Sequence, residues 1–133
     1  MIKEPNMQAL IEYLRNDPDV SAIAGNRITH WQPISLPEDI FVTVSIRKQQ
    51  QNDVMINPVL RFRALGHTDN VPLKTLYDLK NRITNALVKT DSTQHIDTWE
   101  RFTQTSTSFT ERLDSNRPML EFWINGFLVR DVR

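Results

Sequence analysis

The side chains best suited to chemistry in this sequence are scattered. His30, His67 and His95 could serve as metal ligands or as general bases near neutral pH. No H-x-x-x-H or H-E-x-x-H spacing joins any two of them, and the chain has no cysteine to complete a zinc site. Gly25, Gly66 and Gly126 each stand alone, so no glycine-rich loop can cradle a phosphate. Ser45 and Ser108 lack the G-x-S-x-G setting of an activated nucleophile and read as ordinary strand serines. The carboxylate pairs Asp17 with Asp19 and Glu38 with Asp39 fall at turns and helix starts, where capping and the helix dipole account for them. The expectation is a protein that is not an enzyme and that uses no metal or cofactor. The competing reading is a small enzyme or ligand-binding domain whose site residues converge only in the fold.

Two further patterns concern surfaces rather than catalysis. LRFRAL and WERF interleave basic and aromatic residues, a text that suits a stacking platform for single strands. A strand with aromatics inward and arginines outward gives the same text, and 16 Lys plus Arg against 16 Asp plus Glu leaves no field to draw in a polyanion. Neither sequence-specific nucleic-acid binding nor attraction to an anionic membrane is expected. Trp123 alternates away from the presumed core face beside Phe122 and Phe127, so it marks either an interface or a face covered by a second layer. IRKQQQNDVMINPVLRFRALG, Ile46 to Gly66, places a conspicuously polar spacer between two strand-like runs.

The elements that carry these residues are legible from periodicity. Met7, Leu10, Ile11 and Leu14 share one face of a helix, stopped by Asp17-Pro18. A short second helix carries Val20, Ile23 and Ala24 and ends at Gly25. From Arg27 to Pro37 two prolines and the Ile28/Trp31 patch make a connector with room for one edge strand. Asp39 to Arg47 is the clearest strand, with Ile40, Val42, Val44 and Ile46 on its core face. Leu60, Phe62 and Ala64 alternate with Arg61 and Arg63 in the next, its antiparallel partner in a hairpin. Asp69 or Asn70 can cap a long helix with Pro72 in its first turn and Leu76, Leu79, Ile83 and Leu87 on one face. Thr98 to Thr110 is a Thr/Ser-rich strand with weak alternation, and MLEFWINGFLV closes the sheet, with Gly126 read as a bulge that shifts the alternation.

Together these predict one α+β domain over residues 1–133: a mostly antiparallel four-stranded sheet, two main helices on one face, a short helix and a protruding hairpin. At 133 residues and 39% apolar content the chain can bury roughly two thirds of its unfolded surface in a single core without staples. The missing cysteines fit a reducing compartment. Glu4, Glu12 and Asp17 interrupt the opening segment, which does not read as a signal peptide, and no run of about 18 apolar residues offers a membrane span. A soluble cytoplasmic protein is the expectation.

Three passages carry a family likeness. DPDVSAIAGNRI (Asp17 to Ile28) follows an opening helix and leads to PEDIFVTV (Pro37 to Val44). VLRFRALG (Val59 to Gly66) leads into LKTLYDLKNRITNAL (Leu73 to Leu87), and RPMLEFWINGFLV (Arg117 to Val129) closes the chain after a variable loop. This order of elements and motifs resembles the tail-completion, or tail-terminator, proteins of long-tailed bacteriophages. The resemblance implies a structural virion protein: a ring of copies of itself, usually six, that caps the tail tube, ends its growth and offers a surface for head joining. Its partners would be the tail-tube protein and the head connector, and its place the tail or neck of a virion assembled in the host cytoplasm. On this likeness Lys48 to Asn57 becomes an arm reaching neighbouring subunits. The assembly candidates are Arg47, Lys48, Gln49, Gln50, Gln51, Asn52 and Asp53, with Trp123. A head-side connector or adaptor of the same particle is the nearest alternative. A ring interface is heterologous, built from two different patches on each subunit, and the polar arm and the Thr/Ser-rich strand could each serve as one.

Overall fold

Helix α1 (Met7–Asn16) begins where the Asn6 side chain accepts from the Ala9 amide, and it buries Leu10, Ile11 and Leu14. In the computed structural model, residues 5–31, 37, 39–47, 58–66, 72–88, 96–112 and 117–128 are described. Asp17 is extended and its carboxylate accepts from the Asp19 and Val20 amides, which breaks α1 and starts α2 (Pro18–Ala24) with Pro18 in the first turn. Gly25, at φ 58°, ends α2 in a left-handed conformation that other residues enter only with strain. The chain then forms β1 (Ile28–Thr29), which Arg15 fastens to α1 through two hydrogen bonds to the Ile28 carbonyl at 3.0 and 2.6 Å.

The remaining elements are β2 (Phe41–Arg47), β3 (Val59–Leu65), α3 (Leu73–Leu87), β4 (Trp99–Arg112) and β5 (Pro118–Leu128). The strands form one sheet in the order β1-β2-β3-β5-β4. The α+β class holds, but the sheet has five strands and is mixed, not four-stranded: β1 joins the edge parallel to β2, with Ile28 opposite Val42. Two residues are too few to show a period, so only the connector's composition left room for this strand. The other three pairings are antiparallel, and the β2–β3 hairpin has the expected partners, Val44 opposite Phe62 and Ile46 opposite Leu60.

All three helices pack into one core with a single face of this sheet. Val42, Val44, Leu60, Phe62, Ala64, Leu120, Phe122 and Ile124 meet Leu10, Ile11, Leu14 and Val20 together with Leu76, Leu79, Ile83 and Leu87. Phe62 and Phe122 stack at its centre, 5.0 Å apart and nearly parallel. Helix α3 starts at Leu73, two or three residues later than a cap at Asn70 or Asp69 implies. Pro72 stands at the N-cap with no side-chain hydrogen bond to the first turn, while Asp69 and Asn70 lie outside the described residues.

Gly126 is not a bulge. Burial alternates without interruption from Phe122 to Leu128, and the irregularities lie across from β5, between Trp99 and Arg101 and between Gln104 and Ser108 of β4. Those two shifts explain the weak alternation of β4: the first inserts one residue, which moves the following side chains to the other face, and the second inserts two, which interrupts the pairing but leaves Gln104 and Ser108 on the same side. Glycine is required at 126 for space: the Trp99 ring fills the volume a Cβ would occupy.

Truncating the fully buried Ile83 to Ala is expected to cost roughly 2–4 kcal/mol in urea denaturation. A loss below about 0.5 kcal/mol would mean that the α3 face does not anchor the core.

Candidate functional site

The registers assign each residue of β2, β3, β5 and β4 to a row across the sheet, and alternate rows point away from the helices. The first outward row is Phe41, Leu65 and Met119, with Glu111 opposite Met119 on β4; the second is Thr43, Arg63, Glu121 and Phe109; the third is Ser45, Arg61 and Trp123. Beyond these lie Val59, Asn125 and Thr103, and then Phe127 with Arg101. Among the described residues no helix lies on this face. It grades from an apolar end to a cationic middle.

At the apolar end Phe41, Leu65 and Met119 form a second buried cluster, separate from the main core. Arg117 closes it from beside. Its guanidinium lies 5.4 Å from the Phe41 ring centre and donates to the Gly66 carbonyl at 2.9 and 2.7 Å and to the Asp39 carbonyl at 3.2 Å. Arg27 similarly donates to the Ile40 carbonyl at 2.6 Å and pairs with Asp39 at 3.3 Å. These arginines hold strand ends through backbone carbonyls.

In the middle rows Glu121 is only 8% exposed. Arg63 Nε donates to its carboxylate at 2.7 Å, and Arg61 Nε lies 3.8 Å from the same oxygen while donating to Ser45 Oγ at 3.2 Å. A carboxylate so covered needs charged partners, and two are supplied from one strand. The arginine side chains remain 33% and 44% exposed. At the far end the Arg101 guanidinium lies 4.1 Å from the Phe127 ring centre.

Of the expected assembly residues, Arg47 ends β2 opposite Val59, while Lys48, Gln49, Gln50, Gln51, Asn52 and Asp53 lie outside the described residues. Trp123 is half-buried on the outward face opposite Arg61, as its alternation implied, and no second helix layer accompanies it among the described residues. Trp99, by contrast, belongs to the core, with its indole N–H donating to the Asn6 carbonyl at 3.1 Å. His30 packs edge-on against Trp31, and His67 and His95 lie outside the described residues. Asp17 caps α2 as expected. Among the described residues no group of three His, Asp or Glu could hold a metal ion, and no helix is long and apolar enough to cross a membrane.

Sequence reading did not single out the Arg61–Glu121–Arg63 cluster. The alternation of LRFRAL placed both arginines on one face, but their shared partner lies 58 residues from Arg63 and appears only when β3 and β5 are set in register.

No family model matches the chain, and no curated protein matches it. Its fold is similar to that of a chain in the solved virion of a native gene transfer agent (GTA) particle. The TM-score is 0.65 at 13% sequence identity, covering 91% of this chain and 92% of the other. At that identity the likeness shows a common fold.

Replacing Glu121 by Ala leaves two arginines facing one another without a counter-charge. A loss of about 1–2 kcal/mol is expected in chemical denaturation, below the cost of breaking a fully buried pair because both partners reach solvent. No measurable loss would mean that the cluster does not stabilise the sheet.

Proposed function

We propose that this chain is a structural virion protein that caps the end of a phage-type tail tube as a ring, ends tube growth and presents the surface for head joining. The carrying observation is the fold likeness to a chain of a gene transfer agent virion, which spans nine-tenths of both chains. The sequence resemblance to tail-terminator proteins, spread from Asp17 to Val129, supports the finer role. In this reading the protein makes and breaks no bond and needs neither metal nor cofactor. Its partners are further copies of itself, the tail-tube protein and the head connector, and its place is the tail or neck.

The test is complementation of a gene deletion, read by electron microscopy of the particles. Loss of the protein should give overlong or headless tails. Normal tails beside heads that lack a neck component would instead assign it to the head side, as a connector or adaptor. Deleting Gln49 to Asn52 should leave the thermal transition within a few degrees, because a segment of this polar composition has little to contribute to a core. The same deletion should abolish ring formation and head joining. Normal infectious particles from that variant would remove the assembly role of the QQQND segment.

A further inference from the structure

We propose that the outward sheet face around Arg61 and Arg63 is a docking surface for an acidic polypeptide segment in extended conformation. The inference does not depend on the virion reading. Both guanidiniums are fixed through Nε, Arg63 on Glu121 and Arg61 on Ser45, so the side chains are ordered before any partner arrives. Among the described residues nothing engages their terminal amino groups, which leaves the outer half of each planar fork to bind a carboxylate. Among the described side chains of the face, Arg61, Arg63 and the exposed Arg101 stand against Glu121, which is nearly covered, and the registers add one residue of each sign, Arg47 and Glu111, to the same face.

The spacing identifies the partner's form. Arg61 and Arg63 are two residues apart on β3, about 6.8 Å along the strand, which is the repeat of carboxylates at alternate positions of an extended chain. Aromatic area lies beside them: Trp123 is half-buried opposite Arg61, and Phe109, in the row of Arg63, is 49% exposed. Aromatics around a few ordered arginines are the composition of a protein interface. A nucleic-acid backbone fits less well, since it is held by many cations and a net positive field, whereas this chain has 16 of each charge.

The experiment is fluorescence anisotropy at low salt with a fluorescein-labelled peptide of alternating Glu and Thr, using the full chain. Wild type should bind, and the Arg61→Gln/Arg63→Gln double variant should bind about tenfold or more weakly, with circular dichroism confirming that it is folded. Glu121→Gln should bind more tightly, because it removes the competing carboxylate although it weakens the cluster. A purely structural role for the cluster would give the opposite change. Lys74→Gln on α3 should bind as wild type. Absence of peptide binding by wild type, or equal binding by the double variant, would overturn the proposal. So would an arginine-dependent preference for a labelled single-stranded oligonucleotide, or self-association lost in the double variant, which would assign the face to nucleic acid or to a second copy.

Discussion

The structure depends on β5 being inserted between β3 and β4. It is the last described strand in the chain and pairs on both sides, with Phe122 opposite Phe62 on one flank and opposite Ser108 on the other. Without it, β4 has no partner among the described strands, and the Phe62 ring loses the face on which it stacks. The same strand supplies Leu120, Phe122 and Ile124 to the helical core and Met119, Glu121 and Trp123 to the outer face. Its sequence is therefore apolar on the core side and mixed on the other, where Met119, Trp123 and Phe127 alternate with the polar Glu121 and Asn125. Its partner β4 directly precedes it, with Arg112 opposite Pro118, but β3 lies far away in sequence, so the sheet closes only after a long loop has formed, a topology that favours slow, cooperative folding.

A second constraint joins the N-terminus to this closure. The Asn6 side chain caps α1, its amide donates to Thr98 Oγ1, its carboxamide donates to Asp97, and its carbonyl accepts from the Trp99 indole. Asp97 adopts φ 48° in the turn that makes this possible, a left-handed conformation that aspartate tolerates better than most residues. Trp99 then lies against Gly126, so that one tryptophan links the first helix, the edge strand and the final strand. No local pattern announces such a junction, since its members are 27 to 93 residues apart.

That distinction explains what could be read in the sequence. α1, α2, β2, β3 and α3 follow from local period and punctuation, because each hides one stripe from water and shows the other. β4 was legible only as Thr/Ser-rich, because one register shift moves its side chains to the other face and a second interrupts its pairing, and Gly126 invited the wrong explanation because its reason lies in another strand. On the outer face, β2 could be read as polar apart from Phe41. Phe41 is nevertheless buried, since Leu65, Met119 and Arg117 gather over it from other segments. The candidate site was half legible: Trp123 and the two arginines were placed on the right side, while Glu121, which organises the arginines, required the register.

The two edges of the sheet bear on how subunits could associate. β4 has 14 residues and β1 has two, so joining the edge of one copy to the opposite edge of the next would leave most of β4 unpaired. The irregularities in β4 further disrupt a straight row of donors and acceptors, a known way of protecting an edge from unwanted pairing. A continuous sheet running around a ring is therefore a poor solution for this chain. The arginine-bearing sheet face suits a contact of another kind, with an extended acidic segment, because the ordering cost of two long side chains has already been met there by Glu121 and Ser45.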